Sequence, residues 1–427
     1  MDSSPTRHLS PLTRAEWRLV LLLALINFTH ILDFVIVMPL GDQLREELLI
    51  TPRQFGLIVS AYGIAAMVAG VAASLVIDRF DRKSALLTSF AGFALTTLYC
   101  GLAPTYAHLL VARGLAGLCG GIVASSIMAY IGDVIPAQRR GRALGVVTSS
   151  FAVASTLGLP IGLSLATAFA HFSAPFFAIA GLAVAVWCCA AWLLPSLTGH
   201  INRLGSKRPI EEFVAVIRQP NHLLSFAFML SMVLATFMIA PYVAPYMEAN
   251  CGISRGTLPW LYAVAGVSSL VFMNLSGWLT DRFGARPVFL FCAGTAVVMS
   301  LVITNLPVVT AFTAIAVTSV FITFASSRVV PAQAMMIRSA DPTMRGAFMS
   351  LNTAVSHLAT GVGPVISGSI IGEEYSGGPL THYWMVGIIA ASFGLIAMTL
   401  SFMLHTIPEP SRPATAELQA IPELQEA

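Results

Sequence analysis

Twelve long apolar segments alternate with short polar connections along the chain. Each has the roughly 20 mainly apolar residues that an α-helix needs to cross a bilayer. The predicted spans, numbered 1 to 12, lie near 17–40, 54–77, 84–103, 107–131, 142–169, 173–195, 221–247, 257–279, 287–304, 307–330, 346–372 and 382–406. A helix satisfies its own backbone hydrogen bonds in lipid. The pattern therefore predicts an all-α membrane protein with twelve transmembrane helices.

The spans fall into two groups of six, separated by the longest polar connection. The sequence of residues 77–83, after span 2, recurs in part at 280–286, after span 8. We therefore predict two pseudo-symmetric six-helix bundles, as in duplicated transporters. The predicted divisions are a cytoplasmic N-terminus at 1–16, a bundle at 17–195, a cytoplasmic linker at 196–219, a second bundle at 220–406 and a cytoplasmic tail at 407–427.

Composition and charge placement agree with a membrane location. The chain is 56% hydrophobic and 10% charged, whereas soluble domains carry about 25% charged residues. Most of its 23 Lys and Arg residues lie on the side that holds both termini, while Arg45, Arg53 and Arg255 lie in the opposite loops. The positive-inside rule makes the basic side cytoplasmic. We expect a multi-pass protein of a bacterial-type inner (plasma) membrane with an uncleaved first helix.

Motifs for other chemistry are missing from the sequence. It contains no GxxxxGK[ST] phosphate loop, HExxH pair or GxSxG elbow. Its six cysteines show no CxxC and no ligand spacing with His. We predict a protein that is not an enzyme, needs no cofactor or metal, binds no nucleic acid and works as a monomer. Its expected partners are a small-molecule substrate, protons and the lipid bilayer.

Two charged residues stand well inside the predicted spans, Asp33 in span 1 and Arg113 in span 4. A charge at that depth costs roughly 2.5–3.5 kcal/mol on insertion scales and needs a partner or a wet cavity. Asn27 and His30 precede Asp33 by steps of three, so the three share one helix face. Burial favours the neutral acid and a nearby arginine favours the carboxylate. The arrangement predicts a proton-coupling site of Asp33, Arg113 and His30; a static ion pair or helix cap is the alternative.

Five stretches together resemble the major facilitator superfamily, in particular its drug/proton antiporter and arabinose-efflux-like branch. Residues 78–83 and 277–286 are similar to the two copies of its G-x-L-a-D-R-x-G-R-K loop, with Asp81 in place of a glycine. Residues 110–121 resemble its span-4 motif, in which an Arg precedes a glycine-rich face, and 32–39 its span-1 motif l-D-x-t-v-v-n-v-a-l-P. Residues 158–162 resemble the G-x-P-x-G form of the span-5 signature.

The resemblance implies a gate and two helix bends. The gate on the cytoplasmic side would consist of Asp78, Arg79, Arg82, Asp281, Arg282 and Arg286. Charged groups at helix ends can bridge neighbouring termini; the alternative is that the basic residues only enforce topology. The bends would lie at Gly158 and Pro160 in span 5 and at Gly363 and Pro364 in span 11.

Further residues are candidates to line a substrate cavity: Asn27, Phe34, Met229, Phe237, Asn352 and His357. Flexible apolar side chains such as Met suit varied lipophilic ligands, although helix packing explains Met229 equally well. His357 is alternatively satisfied by a neighbouring helix. Arg328 in span 10 is either a second cavity charge or a side chain that reaches out to the cytoplasmic face.

The predicted function is secondary active transport by alternating access between the two bundles. We expect proton-coupled efflux of a small solute or drug, lipophilic compounds included, with Asp33 as proton site and Arg113 as its modulator. One alternative is a symporter or uniporter that takes up a sugar, a carboxylate or a siderophore-like metabolite. Another is a lipid-handling or receptor-like protein with this fold.

Overall fold

The computed structural model describes residues 12–197, 209–341, 344–375 and 378–405, without the side chains of residues 78, 137, 138, 209 and 210. Most of the predicted N-terminus, the middle of the predicted linker and the whole predicted tail lie outside these residues. Helices dominate the described chain and confirm the all-α class. The described β-structure is a hairpin of two-residue strands, Gly372–Glu373 and Leu380–Thr381, between spans 11 and 12.

The first six predicted spans all form helices. They are Arg14–Ile36, Pro52–Val76, Arg82–Leu102, Tyr106–Val134, a segmented span 5 and Ser173–Leu193. Span 5 consists of Ala137–Thr148, Ser150–Val153, a π-helical turn at Ala154–Gly158 and Leu159–Phe169. Two connections are helical: Gly41–Leu48 follows span 1, and a 3₁₀ turn, Ile77–Arg79, follows span 2. Spans 1 and 2 begin at the capping boxes of Thr13 and Thr51, which satisfy amide groups that a helix start leaves free.

The second six spans follow a short helix, Pro209–Ile217. Spans 8, 9, 11 and 12 are Leu258–Phe283, Ala285–Ile303, Arg345–Ile370 and Tyr383–Met403. Span 7 is Pro220–Phe237, a 3₁₀ turn at Ala240–Tyr242 and Val243–Ala249, and span 10 is Ala311–Ser327 and Val329–Ser339. A 3₁₀ turn, Arg255–Thr257, precedes span 8.

Eleven helices within the described residues are long and apolar enough to cross a membrane. Span 11 is not among them because its sequence is less apolar, yet it has 26 residues. At 1.5 Å per residue it is about 39 Å long, longer than the roughly 30 Å hydrocarbon core. We count it as the twelfth crossing because its polar residues pack against other helices. Large apolar side chains such as Trp192 (85% exposed) and Phe312 (81%) point outward, as expected in lipid.

Spans 1–6 are called the first half and spans 7–12 the second half. The face of the bundle that holds most of the Lys and Arg residues is called the basic face, and the other is called the opposite face. Span 1 begins at the basic face and ends at the opposite face. The halves meet where span 2 packs on span 11 and span 5 packs on span 8. A Cβ at Gly63 would stand 2.7 Å from the Gly361 amide nitrogen, and the Tyr242 hydroxyl donates to the Pro52 carbonyl at 2.9 Å. These contacts close the halves against each other on the opposite face.

Candidate functional site

Asp33 and Arg113 form a sealed ion pair between spans 1 and 4. Nη1 of Arg113 lies 2.7 Å from Oδ2 of Asp33 and donates also to the Asp33 carbonyl at 3.2 Å. Both side chains are 0% exposed. Oδ1 of Asp33 and the remaining guanidinium nitrogens make no full hydrogen bond among the described residues, although Thr97 and Cys100 of span 3 lie close to the pair. Losing one partner of such a pair would leave an uncompensated buried charge, which is strongly destabilising.

Tyr62 of span 2 connects this pair to the polar residues of span 1, and the sequence pattern did not mark it. The guanidinium carbon of Arg113 lies 4.6 Å from the centre of the Tyr62 ring, within the range of a cation–π interaction. The Tyr62 hydroxyl lies 3.4 Å from Nδ1 of His30. A single tyrosine among the small residues of span 2 was the available signal, but no rule on spacing marks it.

Asn27 and His30 contact each other, as their spacing predicts. Nε2 of His30 lies 3.0 Å from Oδ1 of Asn27, whose Nδ2 donates to the Val147 carbonyl of span 5 at 2.9 Å. Among the described residues, Tyr62 connects His30 to the ion pair. The structure therefore arranges a polar series across spans 1, 2 and 4, with Asp33 at one end and Asn27 at the other.

The glycine-rich face of span 4 brings these side chains together. A Cβ at Gly117 would collide with the backbone of Tyr62, and one at Gly120 with its hydroxyl. A Cβ at Gly121 would meet the carbonyl of Ala66. Small residues let membrane helices approach closely, so this face fixes Tyr62 beneath Arg113.

The cavity candidates occupy different places. Phe34 stacks on Phe237 of the second half with ring centres 5.8 Å apart, next to Tyr62 at 5.1 Å. Met229 is 3% exposed and packs in the apolar core of the second half. His357 is partly buried and close enough to His30 for their charges to interact. The Phe34–Phe237 stack and the proximity of His357 to His30 place these four residues where the halves meet.

Two polar residues of the second half are buried with incomplete hydrogen bonding. Oδ1 of Asn352 has no partner among the described residues. Arg328 is 2% exposed and donates through Nη2 to the Met232 carbonyl at 3.0 Å and to Thr236 Oγ1 at 2.6 Å. Arg328 therefore points inward to span 7, and the alternative that it reaches out to the basic face is wrong.

The predicted gate residues after span 2 behave differently from one another. The side chain of Asp78 lies outside the described residues, and Arg79 is exposed. Arg82 is 4% exposed; its Nε lies 2.7 Å from Oδ2 of Asp133 at the end of span 4, and its Nη1 donates to the Ile77 carbonyl at 2.8 Å. The loop is thereby tied to span 4, through an acid that no sequence motif had marked.

Asp81, which departs from the family motif, caps span 3. Its Oδ2 accepts from the Ser84 amide at 2.9 Å and its Oδ1 from the Leu197 amide at 2.7 Å. Burial disfavours the charge of Asp81, but the hydrogen bonds from these amides and from the hydroxyls of Ser84 and Ser196 outweigh it and lower its pKa. The carboxylate thus joins the start of span 3 to the chain after span 6.

Asp81→Ala is expected to lower the stability of the first half by about 1 kcal/mol, the usual value of a helix cap. The difference from wild type should persist above the ordinary Asp pKa of about 3.9 and vanish as the pH falls through the lower value of the folded protein. Melting of the purified protein between pH 3 and 7 measures it. Asp281→Ala is the control, because Asp281 is exposed and caps no helix. Equal losses in both variants would contradict the capping role.

The second copy of the loop makes no comparable connection among the described contacts. Arg282 lies over the rings of Trp278 and Phe283, at 5.4 and 5.6 Å. Arg286 donates to the Leu404 carbonyl at 3.2 Å, within the second half. Gly284 adopts a φ of 90° between spans 8 and 9, a conformation that favours glycine.

The two predicted bends differ. Gly158 ends the π-helical turn of span 5, and Pro160 stands in the first turn of the following helix. Gly158 approaches Leu32, where a Cβ would stand 2.5 Å from its side chain. Gly363 and Pro364 lie inside the continuous helix of span 11. The α-helix of span 5 is thus interrupted at the predicted position, whereas span 11 is one continuous helix.

Within the described residues, no three acidic, His or Cys side chains come together as a metal site would require. The sequence model of the Major Facilitator Superfamily matches residues 23–241 and 224–425. The chain therefore belongs to the Major Facilitator Superfamily, a family of membrane transporters.

Individual relatives are distant but cover most of the chain. An uncharacterized MFS-type transporter, YceJ of Bacillus subtilis (strain 168), is 24% identical over 86% of this chain and 91% of its own. A chloramphenicol resistance protein of Streptomyces lividans is 23% identical over 88% of this chain and 93% of its own. The crystal structure of a bacterial homologue of the human lysosomal transporter Spinster, inward-facing and occupied, matches with a TM-score of 0.73 at 14% identity, over 92% of this chain and 97% of its own. This structural likeness supports the fold alone.

Proposed function

We propose that the protein is a proton-coupled exporter of a small lipophilic solute, with Asp33 as the proton site. The observation that carries the proposal is the sealed Asp33–Arg113 pair, with both side chains 0% exposed. A buried acid is costly, and it is retained in a membrane span chiefly where it serves a function. Arg113 modulates Asp33, because it favours the carboxylate while burial favours the neutral acid.

Alternating access would use this competition. In the closed arrangement on the opposite face, Phe34 of span 1 stacks on Phe237 of span 7, so span 1 carries both the acid and a contact between the halves. When the halves separate on the opposite face, span 1 would lose the contact between Phe34 and Phe237. The distance between Asp33 and Arg113 could then change. A small change in that distance decides whether Asp33 binds a proton.

The energy available matches an export role. One charge crossing 100 mV releases about 2.3 kcal/mol, and one pH unit adds about 1.4 kcal/mol. A proton entering by way of Asp33 could thus drive a solute out against its gradient. The predicted gate around Arg82, a monomeric state, an inner-membrane location and cytoplasmic termini on the basic face belong to the same proposal.

The substrate class is proposed from two indications. Phe34, Phe237 and Tyr62 give the junction of the halves an aromatic lining, which suits lipophilic compounds. The relative from Streptomyces lividans carries the name of a chloramphenicol resistance protein. We therefore propose chloramphenicol and similar uncharged or cationic aromatic compounds as the first substrates to test.

Transport by purified protein in liposomes tests the proposal. With an imposed pH gradient, chloramphenicol should move against its concentration gradient, opposite to the proton flux, and dissipating the gradient should stop it. Solute that moves together with protons would overturn export in favour of uptake. Movement that ignores the proton gradient, for chloramphenicol and for a panel of lipophilic cations, sugars and carboxylates, would overturn proton coupling itself.

A further inference from the structure

Six charged side chains meet between the halves on the opposite face, beyond the end of span 1, the helix that carries Asp33. Three come from the helix Gly41–Leu48 of the first half and three from the second half. They are Asp42, Arg45, Glu46, Glu248, Arg255 and Glu373.

Arg255 is the main link across the interface. Its guanidinium lies 2.6 Å from Glu46 and 3.5 Å from Asp42, both in the first half. It also lies 2.8 Å from Glu248 at the end of span 7, in its own half. One arginine thus holds carboxylates of both halves together.

Arg45 makes the reciprocal link from the first half. Its side chain is 1% exposed and lies 2.9 Å from Asp42 on its own helix. It reaches Glu373 of the hairpin at 3.4 Å and donates to the Gly378 carbonyl at 3.3 Å. The network therefore contains four carboxyl groups and two guanidiniums, an excess of acid, with Arg255 and Glu46 partly exposed at its edge.

The two most central carboxyls, those of Asp42 and Glu248, lie against the same guanidinium, Arg255, at 3.5 and 2.8 Å. Their side chains are 11% and 10% exposed, and the two carboxyls are within hydrogen-bonding reach of each other. Two carboxylates cannot share a hydrogen bond without a proton between them, and like charges this close resist double ionisation. We infer that Asp42 and Glu248 form a second proton-binding site, which takes one proton from the solvent of the opposite face and holds that face closed.

The surroundings of the pair support a shared proton. Glu46 on the same helix adds negative charge, while Arg45 and Arg255 oppose it. Tyr262 of span 8 faces Glu248. Burial raises the pKa of Asp42, with Arg45 acting against the rise. The arginines balance two of the four acids, and the shared proton neutralises a third.

Separation of the halves would undo the site. Asp42, Arg45 and Glu46 would leave with the first half, and Glu248, Arg255 and Glu373 with the second. Each carboxyl would then be hydrated and release the proton. The closed state binds one proton more than the open state, so closure weakens as the pH of the opposite face rises. The closed-to-open ratio should fall by up to about tenfold per pH unit.

Distances between spin labels measure this ratio. Labels at Leu49→Cys (85% exposed) and Val308→Cys (77% exposed), in a background with the six native cysteines replaced by Ser, report opening of this face in lipid nanodiscs from pH 5 to 9. The wild-type background should open as pH rises. Glu248→Gln should stay closed without pH dependence, because the amide donates the hydrogen bond permanently.

Control variants make the outcome decisive. Glu47→Gln removes a neighbouring acid that lies 3.3 Å from His171 within the first half, and it should keep the wild-type pH dependence. Arg255→Gln should open the face at every pH. A ratio that stays flat in the wild-type background, or an unchanged slope in Glu248→Gln, would overturn the site. In an Asp33→Asn background, where Asp33 cannot contribute to the pH dependence, the slope should persist and Glu248→Gln should remove it, so this site and the proposed Asp33 function succeed or fail separately.

Discussion

Asp33→Asn is expected to abolish proton-driven export and to lower stability, because the buried charge of Arg113 loses its counter-ion; the folded variant should still bind its substrate. Asn preserves the size of the side chain and can accept a hydrogen bond from Arg113, but it cannot take up a proton. For an uncharged solute exchanged with one proton, a potential of 100 mV is worth about 2.3 kcal/mol, which corresponds to roughly a 50-fold concentration ratio. The variant should lose this ratio and equilibrate the solute.

Proton release on adding chloramphenicol to purified protein provides the direct measurement. Wild type should release protons and Asp33→Asn none, whereas binding measured by quenching of the intrinsic tryptophan fluorescence should persist in both. Glu47→Gln is the matched control, since it neutralises an acid outside the ion pair and should release protons as wild type does. Release from Asp33→Asn equal to that of wild type would exclude Asp33 as the coupling site.

Gly117→Ala is expected to disrupt the packing of spans 2 and 4. The added Cβ would collide with the backbone of Tyr62, which cannot rotate away as a side chain would. Overpacking of this kind costs about 1–3 kcal/mol or more. The displaced Tyr62 would also leave its place beneath Arg113, so transport should fail together with stability.

Gly114→Ala serves as the control for this variant. Gly114 is on the same helix, yet a Cβ there would meet nothing within 4 Å, and the change should stay within about 0.5 kcal/mol of wild type. Size-exclusion chromatography of heated samples compares the melting temperatures of the two variants. Similar melting of Gly117→Ala and wild type would show that the close approach of the spans is not required.

The elements that the sequence predicted well are those set by hydropathy and by strong local rules. A charge inside an apolar span demands a partner, which is why Asp33 and Arg113 could be paired from their positions along the chain. Gly117, Gly120 and Gly121 of span 4, spaced by three and four residues, likewise indicate a close helix approach, because a missing side chain has a definite geometric effect. The role of Asp33 as a proton site stays a prediction.

Other features depend on contacts that no local pattern encodes. Tyr62 is an ordinary residue for a membrane helix, and its importance comes from two neighbours on different spans. Asp133 became relevant only because span 4 ends beside Arg82. The direction of the Arg328 side chain was ambiguous, because a long side chain at this position in span 10 can turn inward or outward.

The network on the opposite face illustrates the same limit. Arg45 and Arg255 stood out in the sequence only as exceptions to the positive-inside rule. Their partners lie in connections that are far apart along the chain. A single sequence does not show which of these connections lie side by side in the fold. Topology rules thus located the two arginines on one face without indicating that they join the halves.

The π-helical turn at Ala154–Gly158 has a consequence for numbering. Such a turn closes its hydrogen bond five residues back instead of four, so it contains one residue more than the α-helix on either side. At about 100° per residue, the faces before and after the turn are offset by one position. A helical wheel drawn through span 5 without this extra residue therefore places Leu159 and the residues after it about 100° away from their true positions. Comparisons with relatives that lack the turn require a one-residue gap there.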